Sequence, residues 1–169
     1  RPHDARMWAS LGVCYDRLGR NAQAIECFKR HLTCPLTHLE SVEAIARIIE
    51  LYEHGGDSVH ATMYHCLLVQ VVDRSMAQMD PALMSRFAFS YIIAARWEMG
   101  ELKGRLYYSK EDKRLGRAAQ ASMPTGDMVK AHDYLQKVLL AGTEMTPVAE
   151  ELLIKLGGRK ERGYDDNTT

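Results

Sequence analysis

Trp8-Ala9-Ser10-Leu11-Gly12-Val13-Cys14-Tyr15-Asp16-Arg17-Leu18-Gly19-Arg20-Asn21-Ala22-Gln23-Ala24-Ile25-Glu26-Cys27-Phe28 reads as a helix, a tight turn and a second helix. Trp8, Leu11 and Tyr15 fall at i, i+3 and i+7, one apolar stripe of a helix. Gly12 lies on the same surface, where a missing side chain lets a neighbouring helix approach closely. Ala24 and Phe28 are four apart, a small and a large residue placed to meet the first helix. Gly19, Arg20 and Asn21 supply the turn.

The order Trp, Leu-Gly, Tyr, then Ala and Phe at these intervals resembles a tetratricopeptide unit. The fold class this implies is all-α, a right-handed superhelix of antiparallel helix pairs, with about three repeats and a terminal capping helix. The repeats are expected at about residues 5–38, 42–75 and 86–141, the last with an insertion near 101–127. The capping helix is expected at 146–156, followed by a disordered polar tail over 157–169. The opening Arg1-Pro2-His3-Asp4 resembles no targeting segment and reads as the middle of a longer array.

Along the chain, the first helix is predicted from Ala5 to Leu18, capped by His3-Asp4, and the second from Asn21 to Thr33, stopped near Pro35. His31 stands where this repeat type usually has a small residue. The third helix is predicted over Leu39–Glu53 with Ser41 as a cap. Its Ile48, Ile49 and Tyr52 lie 37 residues beyond Leu11, Gly12 and Tyr15. Gly55-Gly56-Asp57-Ser58 is a turn, after which Ala61 matches Ala24 and His65 takes the place of Phe28. Cys66-Leu67-Leu68-Val69-Gln70-Val71-Val72 has the composition of a strand, but the register asks for a helix. Asp80-Pro81 opens a fifth helix reaching Glu98, with Ile92 and Ile93 lying 44 residues beyond Ile48 and Ile49. Residues 101–122 are basic and weakly periodic. They read as an insertion within the third repeat, whose second helix is then Met128–Leu140 with Ala131 and Leu135 in the Ala24 and Phe28 places. The alternative pairs the fifth helix with 101–121 directly. Gly157-Gly158 is expected to end the last helix.

Lys plus Arg number 22 and Asp plus Glu 22, so no overall field points to nucleic acid or an acidic membrane. Cys14, Cys27, Cys34 and Cys66 form no Cys-x-x-Cys pair, and two of them fall among apolar helix positions, as reduced buried thiols do. The histidines make no His-Glu-x-x-His motif, and no glycine-rich phosphate loop occurs. The expectation is a non-enzyme with no catalytic, cofactor or metal residues. Tyr107-Tyr108 in the basic segment are possible stacking rings, outweighed by the mixed charge around them.

In a stack of helix pairs, the first helices line the concave face, the usual place for a peptide. The residues expected there are Arg6, Ala9, Val13, Asp16 and Arg17, then Glu43, Ala46, Glu50, Glu53 and His54, then Phe87, Ser90, Ala94, Trp97 and Glu98. Their charges predict a groove basic at one end and acidic in the middle, with Trp97 as an aromatic anchor. Ala9 and Val13 stand where a carboxylate-clamping repeat has lysine and asparagine, which argues against a chaperone adaptor. Trp8, Leu11, Gly12, Tyr15, Ala24, Phe28, Ile48, Tyr52, Ala61, Ile92 and Ala131 are the expected packing residues.

Beyond the repeat, Asp4-Ala5-Arg6-Met7, Leu11-Gly12-x-Cys14-Tyr15-Asp16-Arg17-Leu18, Leu51-Tyr52-Glu53, Ala88-Phe89-Ser90-Tyr91-Ile92 and Ala149-Glu150-Glu151-Leu152-Leu153 resemble the Cdc23 (Apc8) family of anaphase-promoting-complex subunits. The basic insertion and His65 depart from that pattern and would fit a fungal branch. The resemblance implies a non-catalytic scaffold in a nuclear (and cytoplasmic) cell-cycle ubiquitin ligase. Its partners would be sister repeat subunits and a short basic coactivator peptide, with homodimerisation through N-terminal repeats and no nucleic acid or membrane. The alternative is a peptide-binding adaptor from another repeat family, in chaperone or trafficking work.

Overall fold

Every element that the computed structural model describes, over residues 2–75, 81–102 and 125–168, is an α-helix. In chain order these are α1 (Pro2–Arg17), α2 (Asn21–Leu32), α3 (His38–His54), α4 (Ser58–Ser75), α5 (Pro81–Glu98), α6 (Met128–Ala141) and α7 (Thr146–Thr168). Successive helices pair as α1 with α2, α3 with α4, and α5 with α6. The chain divides into two compact units, one containing α1–α4 and the other α5–α7. In the first, α2 also packs on α3; in the second, α7 packs on α6 and touches α5. The expected insertion over 101–122 lies almost wholly outside the described residues.

The first helix of each pair ends in the same way. Gly19, Gly56 and Gly100 have φ of 74°, 77° and 74°, a left-handed conformation that favours glycine. At each, the glycine N–H and the next N–H fold back onto the last turn. Arg20 N donates to Tyr15 O at 2.9 Å, Asp57 N to Tyr52 O at 2.9 Å, and Glu101 N to Arg96 O at 3.0 Å. The three glycines are 37 and 44 residues apart, the same intervals that separate Leu11, Ile48 and Ile92. An internal helical repeat is therefore present in backbone geometry as well as in sequence.

Packing follows the same register. Ala24, Ile48 and Ala131 are fully buried, and Phe28, Ala61 and Ile92 nearly so. A Cβ built on Gly12 falls 2.8 Å from Phe28 Cε2, well inside carbon–carbon contact, so the glycine is what allows α2 to lie so close to α1. Leu11 departs from expectation: it is exposed, while Trp8 and Tyr15 are half-buried. The guanidinium of Arg30 covers the Trp8 ring at 4.8 Å.

Three boundaries differ from the sequence reading, and one ambiguous run resolves as the register asks. Helix α1 already includes Pro2, so Asp4 sits in its first turn. The cap of α3 is Thr37, not Ser41; Thr37 and Glu40 form a reciprocal capping box. The apolar run from Cys66 is helical within α4, as the register asks, and Met63 to Val69 are all buried. Helix α7 runs through Gly157-Gly158 to Thr168, where a stop and a disordered tail were expected. Glycine costs only about 1 kcal/mol per helical residue relative to alanine, a resistance rather than a prohibition.

Candidate functional site

The first half of α1, the end of α2 with the link after it, and the start of α3 border a cleft of about 510 Å³, lined by Ala5, Arg6, Ala9, Ser10, His31, Pro35 and Glu40. Its geometry begins with His31, 8% exposed at the end of α2. His31 Nδ1 lies 2.7 Å from Ala5 O. A carbonyl only accepts, so Nδ1 carries a proton and donates to it. This bond ties the end of α2 to the start of α1 and explains a histidine in a place where the repeat favours a small residue.

Glu40 is placed by the capping box. Thr37 N donates to Glu40 Oε1 at 3.2 Å, and Glu40 N donates to Thr37 Oγ1 at 3.2 Å. The Thr37 side chain and backbone hold its carboxyl below the usual range, and the nearby His31 and Arg6 add to this. The cleft thus carries a guanidinium, a carboxylate, a hydroxyl and an imidazole over an apolar floor of Ala5, Ala9 and Pro35. That pattern suits alternating N–H and C=O groups of an extended chain. No Ser10–His31 hydrogen bond is present among the described residues, and none of their His, Cys, Asp and Glu residues cluster in a way that could hold a metal ion. No described helix is long and apolar enough to cross a membrane.

A second cavity of about 380 Å³ lies between α2 and the α3–α4 turn, lined by residues including Ile25, Lys29, Leu51, Tyr52 and Asp57. Lys29 is 2% exposed. Its ammonium donates to the Tyr52 hydroxyl and lies 5.0 Å and 5.3 Å from the Tyr52 and Tyr64 ring centres. The Tyr52 ring also stacks on His60, which is bonded to Asp57 at 2.7 Å. Burial of an ammonium requires such partners, and this cluster welds α2, α3 and α4 together.

The expected groove is assembled only in part. Arg6 and Ala9 line the cleft, and Arg17 is exposed at the end of α1. The acids of α3 diverge: Glu43 and Glu50 are exposed, Glu50 lying 3.8 Å from Arg47, while Glu53 bonds His65 Nε2 at 2.7 Å. Burial lowers the pKa of His65 despite the opposing pull of Glu53. Phe87, Ser90, Ala94, Trp97 and Glu98 are buried, so they form no open wall. Trp97, 6% exposed, finds no hydrogen-bond partner for its Nε1 among the described residues. Glu98 accepts from Thr125 N and Asp127 N, each at 3.0 Å, and lies 3.8 Å from Lys130. Sequence reasoning missed Ser10, His31, Pro35 and Glu40 as cleft residues; the unusual histidine was their one visible signal.

No family model, curated protein or solved structure matches the chain.

Proposed function

We propose that this chain is a non-catalytic helical-repeat scaffold that holds other proteins, docking an extended peptide in the cleft of Arg6, Ser10, His31 and Glu40. The observation that carries this reading is the recurrence of one helix ending at Gly19, Gly56 and Gly100. Stacked repeats offer extended surfaces for partners, and a mixed donor–acceptor cleft on an apolar floor suits a peptide backbone. The specific assembly is proposed from the resemblance alone: a tetratricopeptide subunit of the anaphase-promoting complex, nuclear and cytoplasmic, holding sister repeat subunits and a coactivator peptide.

Purification of the endogenous full-length protein tests the assembly. Stable recovery with ubiquitin-ligase subunits is the expected result; recovery with none of them overturns that assignment and leaves a repeat adaptor of another complex. Titration of a labelled coactivator peptide tests the cleft. Arg6→Ala and Glu40→Gln should each weaken binding, and the glutamine can still accept from Thr37 N. Unchanged affinity in both folded variants removes the cleft from the mechanism.

A further inference from the structure

Ala22, Ile25, Glu26 and Lys29 form a single stripe of α2, and all four line the cavity of about 380 Å³ between α2 and the α3–α4 turn. At 1.5 Å per residue the stripe is about 10 Å long. Along it the wall passes from solvent into the core: Ala22 and Glu26 are exposed, Ile25 is half-buried, and Lys29 is buried. Opposite stand Leu51 and Tyr52 of α3, both buried. Side chains on a helix lean toward its N-terminus, so Lys29 leans back along the stripe toward Ile25. The cavity therefore has an open mouth, aliphatic sides and an ammonium at its inner end, bonded there to the Tyr52 hydroxyl.

We propose that this cavity binds a small carboxylate with an aliphatic body, the body lying against Ile25 and Leu51 and the carboxylate on the Lys29 ammonium. The other polar groups of the lining are engaged with one another or with their neighbours. Glu26 pairs with Arg30 at 3.2 Å. Asp57 accepts from His60 N at 3.1 Å and holds His60 Nδ1 at 2.7 Å. Leu51 O accepts from both Asn21 Nδ2 at 3.2 Å and Gly55 N at 3.0 Å. What sets the character of the inner end is the cation. An ammonium and a carboxylate make a charge-assisted hydrogen bond, stronger than a neutral one, and their attraction grows where water is excluded. The volume lies within the usual range for small-ligand sites, and an apolar lining with a few fixed polar groups is their usual composition. The cavity shares no residue with the cleft of Arg6, Ser10, His31 and Glu40, so this site stands or falls separately from peptide docking there.

The test is titration of the chain with 4-methylpentanoate, followed by the methyl resonances of Ile25 and Leu51. Both should shift together, with a Kd on the order of 1 mM, ordinary for so small a ligand. The amide and the amine of the same carbon skeleton should bind at least about tenfold more weakly. Lys29→Met keeps the aliphatic stem and should weaken the acid by about tenfold or more, while leaving the amide unchanged. Should that variant misfold, Ala22→Trp at the exposed mouth should block the acid and leave the helical circular dichroism intact. A tripeptide ending in leucine, with a free or an amidated terminus, separates the two sources of this chemistry. Binding of the acid alone assigns the cavity to a free small carboxylate; binding of the free-terminus peptide, and not the amidated one, assigns it to the end of a partner chain. The proposal is overturned if neither acid nor peptide shifts Ile25 and Leu51, if the amide or amine binds as well as the acid, or if folded Lys29→Met or Ala22→Trp binds as the wild type does.

Discussion

Gly12→Ala should destabilise the first helix pair, although alanine is the better helix former. The new methyl would lie 2.8, 2.9 and 3.1 Å from Phe28 Cε2, Cζ and Cδ2. Optimal carbon contacts are about 3.5–4.0 Å, so three ring atoms are overlapped at once. Phe28 is only 4% exposed, with Arg47 packed over its ring at 6.0 Å, and has little room to retreat. Overpacking of this kind costs about 1–3 kcal/mol, against about 1 kcal/mol returned by helix propensity. With the ring hemmed in, the net loss should be about 1–2 kcal/mol. In a Phe28→Leu background the outer ring atoms are gone, and Gly12→Ala should instead stabilise by about 1 kcal/mol. The double-mutant cycle then gives a coupling of about 2–3 kcal/mol. Urea unfolding followed by far-ultraviolet circular dichroism measures it, and Trp8 fluorescence in a Trp97→Phe background localises the change to α1. If Gly12→Ala stabilises both backgrounds equally, the close approach of Phe28 is not what requires the glycine.

Thr37→Ala, which removes the hydroxyl that caps α3, should cost about 1 kcal/mol of stability, measured by thermal or urea unfolding. Tyr52→Phe should cost about 1–3 kcal/mol, because the buried Lys29 ammonium loses an oxygen acceptor; Lys29→Met, which removes the charge as well, should cost less. His65 is held neutral by burial, so the unfolded chain binds a proton more readily than the fold does. Its contribution is therefore complete above the ordinary imidazole value of 6.5 and is lost as pH falls below it. Urea midpoints across that range should decline more steeply for the wild type than for His65→Gln, and parallel pH profiles would refute the assignment.

The helices and turns were legible because they are set locally. The Trp8–Tyr15 stripe, the turn glycines and the 37- and 44-residue intervals needed no knowledge of distant partners. The cap of α3 was misplaced because Ser41 and Thr37 are both acceptable cap residues, and only Glu40 three places after Thr37 separates them. The charged face was less legible, since its orientation depends on neighbours far along the chain. Glu53 looks like a solvent-facing acid until α4 brings His65 to it. Lys29, unmarked by any motif, is buried because Tyr52 and Tyr64 reach it from α3 and α4. Trp97 and Glu98 were expected beside an open groove and are buried instead. Leu11 was placed in the packing by the repeat pattern, yet it is exposed on α1 while its counterpart Ile48 is buried on α3, where α2 also packs.

The carboxylate of Glu98 joins the end of α5 to the backbone of Thr125 and Asp127, while Glu101 lies 3.3 Å from Arg96 and 3.8 Å from Lys155 of α7. Through Glu98 the end of α5 fixes the backbone that enters α6, and through Glu101 it reaches α7. The last turn of α5 and the residues just after it are thus a shared anchor, from which the placement of both following helices is set.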